Sequence, residues 1–118
     1  MELWHICRLA RRVLTGRHAV GRVIARPFIG NPGEFQRTAN RKDFSLDPVG
    51  KTMLDLLKDA GRDVIAVGKI FDIFDGEGVT EKIKTTGNTN GIAFTKALQT
   101  RDFEGLAFVN LVDFDMLY

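Results

Sequence analysis

The chain has 118 residues, which is enough for one modest domain and too few for two full ones. Its hydrophobic share of 44% and charged share of 27% are those of an ordinary globular protein. No stretch approaches the ~18 consecutive apolar residues of a membrane-spanning helix. A single cysteine, Cys7, excludes an internal disulfide and a cysteine metal cluster. We therefore expect a cytoplasmic protein with no membrane partner.

The net charge of +2 conceals a difference between the two halves of the chain. Residues 1–50 carry nine Lys and Arg against four Asp and Glu, whereas residues 51–118 carry eight against eleven. A basic half indicates an anionic partner, either a phosphorylated small molecule or nucleic acid. Nucleic acid is disfavoured because no basic run alternates with aromatic residues, and the chain has one Trp and one Tyr. We expect a phosphorylated small molecule and no nucleic-acid partner.

The first half of the chain predicts one helix, one strand and an irregular segment. Apolar residues recur at helical spacing over 2–15, and Gly16 ends that pattern. Residues 20–28 are rich in β-branched side chains and predict a strand, which Pro27 limits to the edge or the end of a sheet. Residues 29–47 contain several Gly, Pro and Asn residues, so we expect them to be irregular.

The second half alternates predicted helices and strands. Asp47-Pro48 has the pattern of a helix start, and the helix behind it ends at Gly61. The apolar run within 63–68 is typical of a parallel strand covered on both faces. A further helix over 91–100 precedes a closing strand over 105–112. This order predicts an α/β fold, half of a doubly wound sheet.

Four arginines of the first half could together bind phosphate. Arg22 and Arg26 have even spacing on the predicted strand, so a regular strand would place them on one face. Arg37 and Arg41 follow within the segment RTANR. Guanidinium groups bind phosphate through paired hydrogen bonds, so arginines that converge from a strand and a loop could hold a sugar phosphate. The alternative is that all four are solvated surface side chains.

Polar residues follow the two predicted buried strands of the second half. Lys69 comes directly after the first, where ligands bind in open α/β sheets, although a rim lysine in a surface ion pair is an equal alternative. Asp113 and Asp115 follow the last strand and would share one side of an extended chain. Carboxylates in such a place either hold Mg²⁺ or Mn²⁺ or simply face solvent. The residues alone leave both alternatives open.

Five segments carry a resemblance to a known family. They are ELWHIC at 2–7, GRVIARPFIG at 21–30, PGEFQRTANRKDF at 32–44, DVIAVGKIFDIFDGEGVTE at 63–81 and NLVDFDMLY at 110–118. In this order and spacing, the chain resembles the bacterial type of phosphopentomutase, in the alkaline phosphatase superfamily. The resemblance spans essentially the whole chain, which would correspond to an internal fragment of about a third of a family member. Residues 85–92 depart locally from the family pattern.

The resemblance implies interconversion of ribose or deoxyribose 1-phosphate and the 5-phosphate through a phosphothreonine enzyme. It also implies two Mn²⁺ ions and a sugar bisphosphate activator. For the fold it implies part of a doubly wound, mainly parallel sheet of alkaline-phosphatase-like type, preceded by part of an α/β cap domain. Residues 1–47 would form the C-terminal part of the cap, and residues 48–118 would form part of the metal-binding core.

The resemblance also implies roles for residues in the matching segments. Arg22 would contact the phosphate of the substrate, and Ile24 would line the sugar site. Arg37 or Arg41 would be a further phosphate contact, and the sequence does not decide between them. Lys69 would be the catalytic residue that stabilises the transferring phosphoryl group, because a fixed positive charge favours its equatorial oxygens.

Asp115 is the metal ligand that the resemblance implies, since the family has a histidine ligand five residues past this aspartate. Asp113 would then either lie behind the ligands without binding the metal itself or have a structural role. The phosphorylated threonine and the other metal ligands lie outside the matching segment, so we expect the chain alone to be inactive and to bind Mn²⁺ weakly.

Uncovered sheet faces would favour self-association of the chain.

Two other functions stay open from the sequence. The first is a non-catalytic phosphate-binding module that uses the basic half of the chain alone. The second is a metalloenzyme related to cofactor-independent phosphoglycerate mutase.

Overall fold

The computed structural model describes residues 2–115, with Asp115 described by its backbone alone. The chain divides into two compact units, Met1–Leu46 and Asp47–Tyr118. Both units combine helices with strands, so the prediction of an α/β fold is confirmed. Among the described residues, none of the helices is long and apolar enough to cross a membrane.

The described residues of the first unit form one helix, a single 3₁₀ turn and four short strands. These are α1 (Glu2–Val13), the turn Gly16–His18, β1 (Arg22–Ala25), β2 (Phe28–Ile29), β3 (Gln36–Arg37) and β4 (Lys42–Ser45). The strands form two antiparallel pairs, β1 with β4 and β2 with β3. Helix α1 packs on the β1–β4 pair and buries Cys7. The predicted first helix is therefore confirmed, with its end two residues earlier.

The predicted strand over 20–28 is wrong in its extent, because the chain breaks between β1 and β2. At this break the carbonyl oxygen of Pro27 accepts hydrogen bonds from the backbone N–H of Thr38, at 2.9 Å, and from its hydroxyl, at 3.2 Å. The segment 29–47 is also not irregular throughout, since it contains β3 and β4. Strand β4 reads KDFS and lacks an apolar alternation, and its pairing with β1 stabilises it.

The second unit is a three-stranded parallel sheet with helices. Its elements are α2 (Met53–Asp59), β5 (Asp63–Val67), α3 (Ile70–Ile73), β6 (Glu81–Ile83), α4 (Asn88–Leu98), β7 (Gly105–Val109) and a 3₁₀ turn (Val112–Asp115). The strand order is β6-β5-β7, with β5 in the centre. Residues 64–67 of β5 have no exposed surface, which confirms the prediction of a parallel strand covered on both faces.

The core of the second unit has two layers, one on each face of β5. Val64 and Ala66 pack on one side with Leu54 of α2, while Ile65 and Val67 pack on the other side with Leu98 of α4. Successive residues of a strand point to opposite faces, so this one run of four residues supplies both layers. The core therefore holds β5 and the residues at its carboxyl end in a fixed place.

Helix α2 begins later than the predicted start at Asp47-Pro48. The carboxylate of Asp55 accepts hydrogen bonds from the backbone N–H of Thr52, at 2.7 Å, and from its hydroxyl, at 2.9 Å. These bonds satisfy a donor at the start of the helix and hold the pKa of Asp55 below its usual value. The polar contact between Thr52 and Asp55 thus places the start at Met53.

Other boundaries in the second unit also differ from the predicted ones. Helix α4 begins at Asn88, three residues before the predicted 91, and the short elements α3 and β6 were not predicted. The closing strand ends at Val109, and a 3₁₀ turn follows over Val112–Asp115. The expectation that Asp113 and Asp115 lie on an extended chain is therefore wrong, because this turn changes the direction of successive side chains.

Candidate functional site

The β1–β4 pair places two of the expected substrate-binding residues on one face. Arg22 lies opposite Ser45, and Ile24 lies opposite Asp43. Partners across an antiparallel pair, and residues two apart on one strand, share a face of the sheet. Arg22, Ile24, Asp43 and Ser45 therefore lie on the same face, and the alternate residues, including Lys42, lie on the other.

Helix α1 covers the face that does not carry Arg22. The ammonium group of Lys42 lies 5.0 Å from the centre of the Trp4 ring, and the Trp4 indole donates a hydrogen bond to the carbonyl of Asn40 at 3.1 Å. Ala25, on the same face as Lys42, has no exposed surface. Among the described residues of the first unit, α1 thus packs on the face opposite to the one that carries Arg22 and Ile24.

Two arginines converge on one carboxylate at this face. Arg22 donates from Nη1 to Oδ2 of Asp43 at 3.2 Å. Arg41 donates from Nε to Oδ1 at 2.9 Å and from Nη2 to Oδ2 at 3.2 Å. The side chain of Asp43 is 10% exposed, against 38% for Arg22 and 25% for Arg41. The arrangement has one net positive charge and unused guanidinium donors, which is a chemistry that suits an anion.

The other two arginines of the predicted phosphate clamp lie elsewhere in the first unit. Arg26 falls after the end of β1, so the expectation that it continues the strand with Arg22 is wrong. Arg37 lies on β3, pairs with Phe28 of β2 and is exposed. Among the described residues, the ion pairs include Arg22 and Arg41 but not Arg37. The geometry thus brings together Arg22, Ile24 and Arg41.

In the second unit, the carboxyl ends of the parallel strands meet at one edge. The N–H of Gly68, after β5, donates to the carbonyl of Ile83 on β6 at 3.0 Å. The N–H of Asn110, after β7, donates to the carbonyl of Val67 at 3.0 Å. Open α/β sheets bind their ligands at this edge, so the segments that follow Gly68, Ile83 and Asn110 are the candidate site.

Glycine is required at Gly68 by the close approach of the neighbouring chain. Its φ is +80°, in the region where a side chain is strained. A Cβ at this position would overlap the carbonyl oxygen of Asn110 and would lie 3.5 Å from the hydroxyl of Thr85. Gly68 therefore allows the segment after β5 to approach Asn110, after β7, and Thr85, after β6. This meeting point lies directly beside Lys69.

Lys69 lies at this edge, as predicted. It is the residue before the first turn of α3, with φ −87° and ψ 1°, and its side chain is half-buried. The following residue, Ile70, is 3% exposed and belongs to the core. The core thus fixes the backbone of Lys69 next to the ends of all three strands.

Asp113 is engaged in a reciprocal contact with the start of α4. Its Oδ2 accepts a hydrogen bond from the N–H of Asn88 at 2.7 Å, and Oδ1 of Asn88 accepts one from the N–H of Asp113 at 2.9 Å. The carboxylate thereby satisfies a free N–H at the helix start, where negative charge is favoured. The structure gives Asp113 a structural partner.

Asp115, the expected metal ligand, has its backbone in the turn Val112–Asp115, and its side chain lies outside the described residues. Among the residues with described side chains, no group of three or more His, Cys, Asp and Glu is close enough to hold a metal ion. The carboxylate of Asp113 is directed to Asn88. The described residues therefore do not by themselves make a metal site.

A separate cleft of about 470 Å³ lies in the second unit, with lining residues that include Asp47, Lys51 and Glu77. Burial raises the pKa of Asp75, and the neighbouring carboxyl of Asp47 raises it further. Asp75 also has a φ of +52°. None of the expected site residues with a described side chain lines the cleft.

The two surfaces define the class of protein to which the sequence points. The second unit has the ligand edge of a parallel α/β sheet with a lysine beside it, and the first unit has paired arginines on the strand face opposite to α1. Together these describe an α/β protein with chemistry suited to phosphate.

Comparison with known proteins shows that the chain is similar to phosphopentomutases. The chain is 58% identical over 117 residues to the phosphopentomutase of Carboxydothermus hydrogenoformans and 59% identical to that of Acetivibrio thermocellus. The phosphopentomutase of Alkaliphilus metalliredigens is 56% identical over the same length. Each alignment covers 99% of this chain. The resemblance to phosphopentomutase is therefore confirmed.

The chain spans about 30% of the length of these curated relatives. No protein-family model matches the chain.

Three residues of the candidate surfaces were missed from the sequence, namely Asp43, Asn88 and Gly68. Asp43 lies within the matching segment at 32–44, but its residue type and spacing there predict no role, and only its distance to Arg22 and Arg41 reveals its place. Asn88 and Asp113 are 25 positions apart, and no local pattern links them. A signal was available for Gly68 alone, since a glycine directly after a buried strand suggests a close approach of backbones.

Proposed function

We propose that this chain is part of a phosphopentomutase that interconverts ribose or deoxyribose 1-phosphate and the 5-phosphate. The identity of 56–59% over 117 residues to proteins of that name supports this proposal. It also favours this reaction over that of a phosphoglycerate mutase-like enzyme. The fold would be part of a sheet of alkaline-phosphatase-like type, with the first unit as part of a cap and the second as part of the core.

The substrate phosphate would bind to the face of β1 that carries Arg22, with Ile24 lining the sugar site. The geometry that supports this is the pair of guanidinium groups that contact one carboxylate on the strand face opposite to α1. Arg37 or Arg41 would make the further phosphate contact. Lys69 would stabilise the phosphoryl group during transfer, which its position at the edge of the sheet supports.

Metal ions and an activator would complete the enzyme. Asp115 would be this chain's ligand to one of two Mn²⁺ ions, and a sugar bisphosphate would prime the enzyme. Bound Mn²⁺ would neutralise charge on the phosphoryl group. The chain alone would bind Mn²⁺ weakly and would not turn over.

A chimeric enzyme tests the proposal. In the phosphopentomutase of C. hydrogenoformans, the segment that matches over 117 residues is replaced by this chain. We expect the chimera to convert ribose 1-phosphate and to lose activity with Arg22→Ala. The matched control is Arg12→Ala on α1, which should leave activity unchanged. A folded chimera with no activity would contradict the proposal.

A second function rests on the paired arginines alone. Arg22 and Arg41 leave unused donors around Asp43 without any metal, which would suit a phosphate-binding module. Calorimetric titration of the chain with ribose 5-phosphate in the presence of a chelator separates the two functions. Tight binding favours the module, and weak binding favours an enzyme that needs the rest of the cap and core.

A further inference from the structure

We propose that Thr85, on the segment that follows β6, is a further catalytic residue whose hydroxyl donates a hydrogen bond to the phosphoryl group beside Lys69. The inference rests on the proposed function, since it concerns the phosphoryl group that the enzyme would transfer. It gives the second unit a neutral donor in addition to the charge of Lys69. No covalent bond to Thr85 forms or breaks in this role.

Thr85 lies at the carboxyl edge of the parallel sheet. Strand β6 ends at Ile83, whose carbonyl accepts a hydrogen bond from the N–H of Gly68 at 3.0 Å. Thr85 comes two residues later, and a Cβ at Gly68 would lie 3.5 Å from its Oγ1. Since Gly68 has no side chain, the hydroxyl of Thr85 directly neighbours the backbone that leads into Lys69.

Packing against α4 fixes the direction of this hydroxyl. A Cβ at Gly91, a buried residue near the start of α4, would lie 3.7 Å from the Cγ2 methyl of Thr85. Threonine carries its methyl and its hydroxyl on one carbon, and its χ1 angle has few allowed values. With the methyl towards α4, the hydroxyl is directed towards Gly68 and the ends of the strands. A donor that is oriented in advance loses little entropy when it binds a ligand.

The hydroxyl of Thr85 is available to a ligand. Other threonines of the second unit use theirs within the fold. Thr80 donates to the carbonyl of Val64 at 3.1 Å. Thr95 donates to the carbonyl of Gly91 at 2.8 Å. Thr85 is half-buried, and among the described residues its hydroxyl has no hydrogen-bond partner.

The backbone at the start of α4 does not supply this donor. A helix start can bind an anion through its free N–H groups. Here the carboxylate of Asp113 accepts from the N–H of Asn88 at 2.7 Å. Oδ1 of Asn90 accepts from the N–H of Thr86 at 3.2 Å. These two N–H groups are used within the fold, so the donor available in this segment is the side chain of Thr85.

A fixed hydroxyl beside a lysine suits the group that is transferred. During transfer, negative charge spreads over the three equatorial oxygens of the phosphoryl group. Hydrogen bonds to charged oxygens are stronger than those to neutral ones. A donor that is already in place stabilises the transition state without reorganisation. A hydroxyl that only contacts water would make no such contribution, so removal of the oxygen alone distinguishes the two roles.

The test is the kinetics of Thr85→Val in the chimera with the C. hydrogenoformans enzyme. Valine keeps the methyl that packs on α4 and removes the hydroxyl, so the thermal midpoint should stay close to that of the parent. We expect kcat to fall about 10- to 100-fold with little change in KM. Thr85→Ser retains the hydroxyl and should recover most of kcat. Thr100→Val, an exposed threonine beyond the other end of α4, is the control and should leave kcat unchanged.

Two further measurements identify the group that Thr85 contacts. Ribose 1-phosphate and deoxyribose 1-phosphate share the phosphoryl group and differ at the 2-hydroxyl, so kcat should fall equally for both. A fall confined to ribose 1-phosphate would assign Thr85 to the sugar and overturn the inference. In the Lys69→Met background, Thr85→Val should lower kcat much less, because both residues act on one group. An undiminished effect there would also count against it.

Full activity of Thr85→Val in an active chimera overturns the inference and leaves the proposed function intact. A Thr85→Ser variant as slow as Thr85→Val has the same consequence, since the retained hydroxyl would then be irrelevant. An inactive parent chimera contradicts the proposed function itself, and this inference with it.

Discussion

Asn88 and Asp113 exchange two hydrogen bonds, each from the backbone N–H of one residue to the side chain of the other, at 2.7 and 2.9 Å. The pair joins the start of α4 to the turn that follows β7. It therefore holds the segment of Asp115 against the ligand edge of the sheet. The carboxylate of Asp113 is thus engaged in a contact that stabilises the fold.

Loss of the Asn88–Asp113 contact should destabilise the chain. We expect Asp113→Ala to lower the free energy of unfolding by about 2 kcal/mol, because a helix start loses its acceptor. Asn88→Ala should cost about 1 kcal/mol, and the double variant should cost less than the sum. Urea unfolding of the four proteins measures this. Asp102→Ala, in an exposed loop, is the control, and strict additivity would contradict the contact.

Gly68 and Gly61 form a matched pair of glycines with positive φ. The φ values are +80° and +71°, but a Cβ at Gly61 would meet nothing within 4 Å, whereas at Gly68 it would overlap Asn110. We expect Gly61→Ala to cost about 1 kcal/mol of stability from backbone strain alone. Gly68→Ala should cost about 3 kcal/mol, since the ends of β5 and β7 must separate. Equal costs in thermal unfolding would show that the strands are not in close contact.

Asp75 should reduce stability at neutral pH. Burial and Asp47 raise its pKa in the folded state above the usual value of 3.8, so the folded state favours the protonated form. The raised pKa thus contributes stability that is fully present below pH 3.8, and this stability is lost as the pH rises through the pKa of the folded state. Asp75→Asn should therefore be more stable than the parent at pH 7, and Asn also tolerates a φ of +52°. Thermal midpoints at pH 3 and pH 7 test this, and a larger gain at pH 3 would contradict it.

Asp55 should have the opposite pH dependence. The backbone N–H of Thr52, followed by its hydroxyl, holds the pKa of Asp55 below 3.8 in the folded state. The stability it contributes is present above pH 3.8 and is lost as the pH falls through the folded pKa. Asp55→Asn should therefore lower the thermal midpoint at pH 7 and have less effect in acid. Asp59→Asn, in the last turn of α2, serves as the comparison, and a midpoint unchanged at pH 7 would disprove the expectation.

Lys69 should affect catalysis more than substrate binding. In the chimera, Lys69→Met should lower kcat by about 100-fold or more while KM changes little, because a fixed charge at the phosphoryl group acts mainly in the transition state. Steady-state kinetics with ribose 1-phosphate separate the two constants. Lys96→Met, exposed on α4, is the control. A rise in KM with an unchanged kcat would assign Lys69 to ground-state binding.

Elements with a local signal were predicted well. The apolar run of β5 and the helical spacing of α1 are visible within ten residues, and both elements are present. Strands β3, β4 and β6 have two to four residues and no clear alternation, so they were not recognised. Such short strands depend on hydrogen bonds to a partner elsewhere in the chain, and the identity of that partner is not a local property.

The sequence by itself determined the family, the buried central strand and the basic character of the first half. It also placed Lys69 at the carboxyl end of β5, since a residue that directly follows a strand has little freedom of position. The tertiary structure decided which polar groups meet. Arg22 and Arg41 are 19 positions apart and share Asp43 because β1 and β4 pair in one register, with Ile24 opposite Asp43. Asp113 and Asn88 meet because β7 ends beside α4. Contacts of this kind depend on the register of backbone hydrogen bonds between distant segments, which residue types and spacing do not specify.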